Sequence, residues 1–177
     1  MNLPDKKTIN KLYDKYGVPD NIKAHMKSVS KVAVKLAKKL NESGENIDID
    51  FMEACGLLHD IAKFITLNNG GNHAEIGEQI LQSEGFSEIG IIIRSHSNDF
   101  VVDKDGYKKW FSQPMENKIL NYSDFRVLND KVVSLDKRLE YLNERYPKSH
   151  DKFIILADIL RDFEKRLGEK GIDIYKI

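Results

Sequence analysis

The sequence of 177 residues contains a single cysteine, Cys55, and four prolines. One cysteine cannot form an intrachain disulfide, so the fold is expected to rely on packing rather than on cross-links. Cys55 stands in an apolar run, where a small buried residue is expected. No apolar stretch follows the N-terminal segment Met1–Lys7, so we expect no signal peptide. These features predict a protein of the reducing cytoplasm.

The chain also lacks a net charge, because 28 lysine and arginine residues balance 28 aspartate and glutamate residues. This balance argues against a broad basic surface, and we expect no nucleic-acid partner. No stretch approaches the roughly 18 apolar residues that a membrane-spanning helix needs, so no membrane partner is expected either. Hydrophobic residues make up 41% and charged residues 32% of the chain, which is typical of a globular domain with one core. We predict a single domain over residues 1–177.

Repeats, low-complexity tracts and convincing strand alternation are missing, whereas apolar residues recur at spacings of three and four along most of the chain. This pattern predicts an all-α bundle of about seven or eight helices, with residues 97–113 as the least regular segment. Capping residues, glycines and prolines set the expected helix bounds. The expected helices cover residues of about 5–16, 20–41, 51–64, 73–83, 89–96, 114–128, 135–146 and 149–167.

The apolar stretch Cys55–Lys63 ends in a histidine, an aspartate and a lysine. A helix that buries its leucines and isoleucine here should not place His59 and Asp60 among them without a partner, since a buried unpaired charge costs several kcal/mol. Adjacent residues on a helix point about 100° apart, so both groups can bind one ion from a single turn. This stretch is therefore a candidate metal site that needs further ligands.

Three further histidines, His25, His73 and His96, lie on or beside the apolar faces of other predicted helices. Asp124 also falls on a buried stripe, whereas His150 stands in a polar helix start and is expected at the surface. One histidine on an apolar face is more often a satisfied core residue than a ligand. Four such histidines with two aspartates are better explained by one polar centre that faces inward from several helices.

The order of these residues resembles the HD-domain superfamily of metal-dependent phosphohydrolases, over about residues 20–130, followed by C-terminal helices at about 134–168. That superfamily has a histidine, a His-Asp pair and a distant aspartate, here His25, His59–Asp60 and Asp124. The additional His73 and His96 match the subset that holds two metals.

Two local stretches sharpen this resemblance. Leu57–Lys63 and Asn72–Gly77 look like the small single-domain members related to bacterial symmetrical diadenosine tetraphosphate hydrolases. The stretch Asn121–Val127 keeps the aspartate without clearly reproducing the surroundings found in that group.

The resemblance implies a dinuclear centre with the ligands His25, His59, Asp60, His73, His96 and Asp124. Asp60 would bridge the two ions, and the first two histidines and Asp124 would hold one ion while His73 and His96 hold the other. Histidine and aspartate ligands suit divalent transition metals; iron or manganese is favoured, and zinc, nickel and cobalt are compatible. A water shared by both ions would attack phosphorus.

The implied function is a metal-dependent phosphohydrolase (a phosphatase, phosphodiesterase or nucleotide pyrophosphohydrolase) that acts on a small phosphorylated substrate such as a nucleotide. Asp60 and Lys63 are the expected catalytic residues. Lys63, one turn after His59, either holds a phosphate or is a surface lysine paired with a carboxylate; Arg94 and Arg126 are weaker candidates for a phosphate. The alternative is a non-catalytic HD module that binds metal and a nucleotide or partner. The sequence is compatible with a homo-oligomer and does not fix the oligomeric state.

Overall fold

The computed structural model describes residues 2–177, apart from the side chain of Phe100. Within that part of the chain there are ten α-helices, which confirms the all-α prediction with more helices than expected. They are α1 (Lys6–Lys15), α2 (Asp20–Glu42), α3 (Ile49–Leu58), α4 (Lys63–Asn69), α5 (His73–Ser83), α6 (Ser87–Arg94), α7 (Gly106–Ser112), α8 (Met115–Phe125), α9 (Leu135–Arg145) and α10 (His150–Glu169).

Several of these helices begin where the sequence supplies an N-cap. A side-chain oxygen of the residue before the helix accepts a backbone N–H of the first turn, which satisfies one of the donors left free at a helix start. The capping residues of α1, α3, α5 and α9 are Asp5, Asp48, Asn72 and Ser134.

The long helix α2 is central to the fold, and it packs along α3 and against α8. Its contact with α3 is close enough that a Cβ built on Gly56 would lie 2.5 Å from Ser30 Cα. Only glycine therefore permits this approach. The Ser30 hydroxyl also donates to the Glu53 carbonyl at 3.0 Å. The hydrophobic core that surrounds this contact extends from Ile9 in α1 to Ile172 after α10.

The predicted helix over residues 51–64 is wrong as one element. Helix α3 ends at Leu58, and α4 begins only at Lys63. Between them the chain turns tightly, with Ile61 N–H bonded to the Leu58 carbonyl at 3.1 Å. Every residue from 58 to 62 is buried. A straight helix with one buried face cannot bury five consecutive residues, so the turn is what keeps this stretch inside.

The predicted helix over 114–128 is also too long. Helix α8 ends at Phe125, and Val127–Leu128 pairs antiparallel with Lys131–Val132 in a two-stranded sheet. Asn129 in the two-residue connection has φ +56°, a conformation that asparagine tolerates and that short hairpin turns require. Short-range turn chemistry therefore overrides the helical spacing here.

The remaining differences lie between the fifth and eighth helices. Helix α6 stops at Arg94, so His96 lies in a short 3-10 helix, Ser95–Ser97, rather than in the expected α-helix. The segment expected to be irregular contains a further 3-10 helix, Asp99–Val102, and the buried Trp110 within α7. Among the described residues, no helix has the length and apolar character needed to span a membrane.

Candidate metal centre

The six residues predicted as ligands converge on one point from five segments of the chain. Helix α2 contributes a histidine, the turn after α3 a histidine and an aspartate, the first residue of α5 a histidine, the 3-10 helix after α6 a histidine, and the end of α8 an aspartate. They are His25, His59, Asp60, His73, His96 and Asp124. His150 is exposed, as expected.

One group surrounds the Oδ2 atom of Asp60, and we call it the aspartate half: His25, His59 and Asp124. The Nε2 atoms of His25 and His59 lie 3.8 and 3.6 Å from Asp60 Oδ2. Asp124 Oδ1 lies 3.0 Å from Nε2 of His25 and 3.9 Å from Nε2 of His59. Four donor atoms therefore face one small space.

The second group, which we call the histidine pair, faces the other oxygen of the same carboxylate. Nε2 of His73 and Nε2 of His96 lie 3.4 and 3.5 Å from Asp60 Oδ1. These two nitrogens are 2.9 Å apart. The two oxygens of Asp60 thus point to separate sets of donors.

The donor set fits divalent ions. Two ligands at about 2.1 Å from one ion are about 3.0 Å apart at octahedral angles and about 3.4 Å apart at tetrahedral angles. The separations of 2.9 to 3.5 Å around the histidine pair match these values, whereas those of 3.0 to 3.9 Å in the aspartate half extend beyond them. His59 Nε2 and Asp60 Oδ1 are buried without a hydrogen-bond partner in the described part of the chain. Because buried polar atoms normally have partners, these two atoms are available to bind an ion.

The orientation of the histidines is fixed from behind. Nδ1 of three rings lies at hydrogen-bond distance from a backbone carbonyl, which only accepts, so Nδ1 carries a proton and Nε2 faces the centre. The three contacts are His25 with Asn129 at 2.8 Å, His59 with Gly56 at 2.9 Å and His96 with Ile93 at 2.5 Å.

The histidines differ in charge tendency. Burial lowers the pKa of His59 to about 4, and burial together with the charge of His96 lowers the pKa of His73 to about 4. Burial also acts on His25, but the hydrogen bond and charge of Asp124 outweigh it and raise the pKa of His25. His59 and His73 are therefore neutral near pH 7, which is the form that binds a metal.

Both carboxylates stay ionised although they are poorly solvated. Burial alone would raise the pKa of Asp60, but the charge of Lys63 holds it well below its usual range. Burial also acts on Asp124, and the hydrogen bond from His25 with the charge of Arg138 lowers its pKa well below the usual range. The centre thus has two negative charges available for cations.

Lys63 lies at the centre, because its Nζ donates to Asp60 Oδ2 at 2.7 Å. The lysine is thus paired with a carboxylate, and that carboxylate belongs to the cluster; a contact from Lys63 to phosphate stays a prediction. Its side chain is 31% exposed, so it is partly accessible to solvent.

The two weaker arginine candidates do not join the cluster. Arg94 faces Glu78 at 3.7 Å on the surface. Arg126 directs its guanidinium to the Val133 carbonyl at 2.7 Å and to Tyr122.

Sequence reasoning missed one charged residue at the centre. Arg138 in α9 places a guanidinium nitrogen 3.5 Å from Asp124 Oδ1. A signal for it was available, because Arg138 lies three residues after Leu135 and four before Leu142, on the apolar stripe of its helix. The argument that singled out the buried histidines applies equally to this residue.

An all-α fold that gathers histidines and aspartates from several helices around one carboxylate defines a metal-binding helical protein. The model of the HD-domain family matches residues 22–161, and the chain belongs to this family. HD domains bind divalent metals, and the family is one of metal-dependent phosphohydrolases.

The chain is similar to a protein from each of three organisms. It is 26% identical to an uncharacterized protein of Methanocaldococcus jannaschii over 156 residues, covering 82% of this chain and 91% of that protein. It is 31% identical to the tRNA (cytidine(56)-2'-O)-methyltransferase of Thermoplasma volcanium over 167 residues, covering 86% of this chain and 47% of that protein. It is 33% identical to ribonuclease Y of Aquifex aeolicus over 92 residues, covering 51% of this chain and 16% of that protein.

The chain thus spans about half of the methyltransferase and about a sixth of the ribonuclease. No solved structure gives a significant match. The relatives described above carry other names, so the narrower resemblance to diadenosine tetraphosphate hydrolases stays a prediction.

Proposed function

We propose that this chain is a metal-dependent phosphohydrolase that acts on a small phosphate ester or nucleotide. The observation that carries the proposal is the position of Asp60, whose two oxygens face two separate groups of neutral or anionic donors. A carboxylate in this position can be shared by two ions, and paired ions are a recurrent solution for phosphoryl chemistry.

The aspartate half and the histidine pair would each hold one divalent ion, with iron or manganese favoured and zinc, nickel and cobalt compatible. When bound, such ions supply positive charge for the phosphoryl oxygens and a nucleophilic water at neutral pH. The hydrogen bonds to the histidine Nδ1 atoms fix their rings, so the donors stay in place without reorganisation.

Lys63 is the proposed contact to the substrate at the opening of the site. Its ammonium lies 2.7 Å from Asp60 Oδ2, and its side chain is partly exposed. The charge of Asp60 raises the pKa of Lys63 despite the opposing effect of burial, so the lysine is a cation throughout the neutral range. A fixed cation beside the shared carboxylate would orient a phosphate group toward the cluster.

The test uses protein purified without chelators, its metal content by mass spectrometry and phosphate release on the same sample. The substrate panel contains phosphate monoesters, nucleoside polyphosphates, dinucleoside polyphosphates and a short RNA, because two relatives are named for RNA. We expect close to two transition-metal ions per chain and turnover of a small phosphate ester or nucleotide.

The variant Asp60→Ala should lose both metal and turnover while its circular dichroism stays native. His150→Gln is the matched control, since it removes an exposed histidine outside the cluster. Retained metal and activity in Asp60→Ala would refute the proposal. A centre with two ions that turns over no member of the panel would instead support the non-catalytic module.

A further inference from the structure

Arg138 is a buried cation that has no role among the proposed metal ligands. Its side chain is 9% exposed, and the nearest carboxylate oxygen is Asp124 Oδ1 at 3.5 Å. That distance is long for a charge-assisted hydrogen bond, which is normally about 2.7–2.9 Å. The same Asp124 oxygen lies closer to His25 Nε2, at 3.0 Å. Arg138 is therefore near the cluster without being bonded to it.

The guanidinium of Arg138 is only partly satisfied. Its Nε is buried and has no hydrogen-bond partner in the described part of the chain. The guanidinium carbon lies 5.7 Å from the centre of the Tyr141 ring, one turn further along α9. This distance is within the range of a cation–π contact. An unpaired buried donor on a charged group is costly, so a further acceptor is expected there.

The charges at the centre identify the kind of acceptor. Asp60 and Asp124 supply two negative charges, and Lys63 and Arg138 supply two positive charges. The centre is therefore neutral without ions when the histidines are neutral. Each divalent ion would add two positive charges. Because the ion would also take up the charge of Asp124, Arg138 would then face a cation at short range, which is unfavourable unless an anion lies between them.

We infer that Arg138 is a phosphate-binding residue that holds the phosphoryl group of the substrate between its guanidinium and the ion of the aspartate half. This inference rests on the proposed function, since that function supplies the anion. A guanidinium presents several donors in one plane and matches the oxygens of a phosphate. Arg138 would thereby contact the substrate from α9, a helix that carries none of the proposed metal ligands.

The test measures inorganic phosphate binding by calorimetry to the manganese-loaded protein, so it does not depend on turnover. In Arg138→Gln we expect metal content equal to that of the unmodified chain and a phosphate Kd raised about 10- to 100-fold, as for loss of a hydrogen bond to a charged group. Arg138→Lys keeps the charge but not the planar donors, so its phosphate Kd should lie between those of the unmodified chain and Arg138→Gln. Arg145→Gln, an exposed position on the same helix, is the matched control.

Three outcomes would overturn the inference: no phosphate binding to the loaded unmodified protein, an unchanged Kd in Arg138→Gln, or loss of metal in that variant. The last result would make Arg138 a partner of Asp124 rather than of the substrate. Failure of the proposed function is distinguishable, because phosphate that binds through Arg138 without turnover of any ester would refute hydrolysis and leave Arg138 as a phosphate-binding residue.

Discussion

His25 and His73 show how differently the two halves of the cluster are supported. His25 is buried within the 23-residue helix α2, and its ring is fixed by the carbonyl of Asn129 in the hairpin. His73 is the first residue of α5, and its side chain is 30% exposed. His96, its partner, lies in a 3-10 helix of three residues. The ligand atom of His25 is thus presented from inside a long packed helix, whereas the histidine pair is presented by the start of α5 and by a short 3-10 helix.

This difference has an energetic consequence. Groups in packed helices open only with much of the fold, whereas helix ends and short 3-10 turns open locally at low cost. A ligand that must first be ordered binds its ion more weakly. The aspartate half should therefore hold the tighter ion, and the histidine pair the ion that exchanges more easily.

The largest effect on activity is expected when one histidine of each half is replaced. The two variants to compare are His59→Gln and His73→Gln. His59 is fully buried and faces both carboxylates, so its loss should lower phosphate release by about 1000-fold, or about 4 kcal/mol. His73→Gln should keep about one ion per chain and lose about 10- to 100-fold in rate. Metal per chain after dialysis and phosphate release are measured together. Equal metal loss in both variants would contradict the proposed difference.

A second comparison uses one glycine behind each half. A Cβ on Gly56 would lie 2.5 Å from the backbone of Ser30, whereas a Cβ on Gly77 would lie 3.1 Å from the flexible tip of Ile93. Gly56→Ala should therefore cost about 2–4 kcal/mol of unfolding free energy by forcing α2 and α3 apart. Gly77→Ala should change it by less than about 1 kcal/mol, because better helix propensity offsets the contact. Urea unfolding measures the loss of unfolding free energy in both variants. Similar losses would show that the two halves are packed equally tightly.

The helix caps offer a smaller and more local test. Asn72 caps α5 directly before His73, accepting the Ala74 N–H at 3.0 Å, whereas Asp48 caps α3 at the end remote from His59, accepting the Phe51 N–H at 2.9 Å. Asn72→Ala and Asp48→Ala should each lose about 1 kcal/mol of stability.

Only Asn72→Ala should also weaken binding of the second ion, by about 10-fold, because the first turn of α5, which carries His73, frays without its cap. Calorimetric titration of the metal-free protein with manganese resolves the two binding steps. A weakened second step in both variants would point to global loosening rather than to local order at the histidine pair.

Sequence reasoning could identify the members of this cluster because each stands on an apolar stripe, as His25, His96 and Asp124 do. It also placed most helix starts, since caps such as Asn72 act within three residues. Sequence reasoning could not supply the tertiary packing. The direction of each oxygen of Asp60 depends on where four other segments pack. That those side chains hold metal stays a prediction.

The turn at residues 59–62 shows a different limit. Spacings of three and four fit both a continuous helix and a tight turn of i to i−3 bonds, so periodicity alone extended the helix to residue 64. The burial of Ile61 and Ala62 on the same side as His59 decides between them, and burial is a property of the packed fold. Arg138 was missed for another reason, since charged residues on a helix are usually assigned to the solvated face.

The smallest expected effect concerns Lys63, which stands where the two halves meet. Its ammonium pairs with Asp60 Oδ2, on the side of the aspartate half, so it repels an ion there while it attracts a phosphate. Lys63→Gln should therefore keep or slightly tighten metal binding, raise KM about 3- to 10-fold and change kcat by less than about 3-fold. Lys39→Gln, which removes an exposed lysine paired with Glu42, is the control. An unchanged KM would make Lys63 a surface lysine paired with a carboxylate, and lost metal would make it a support of Asp60.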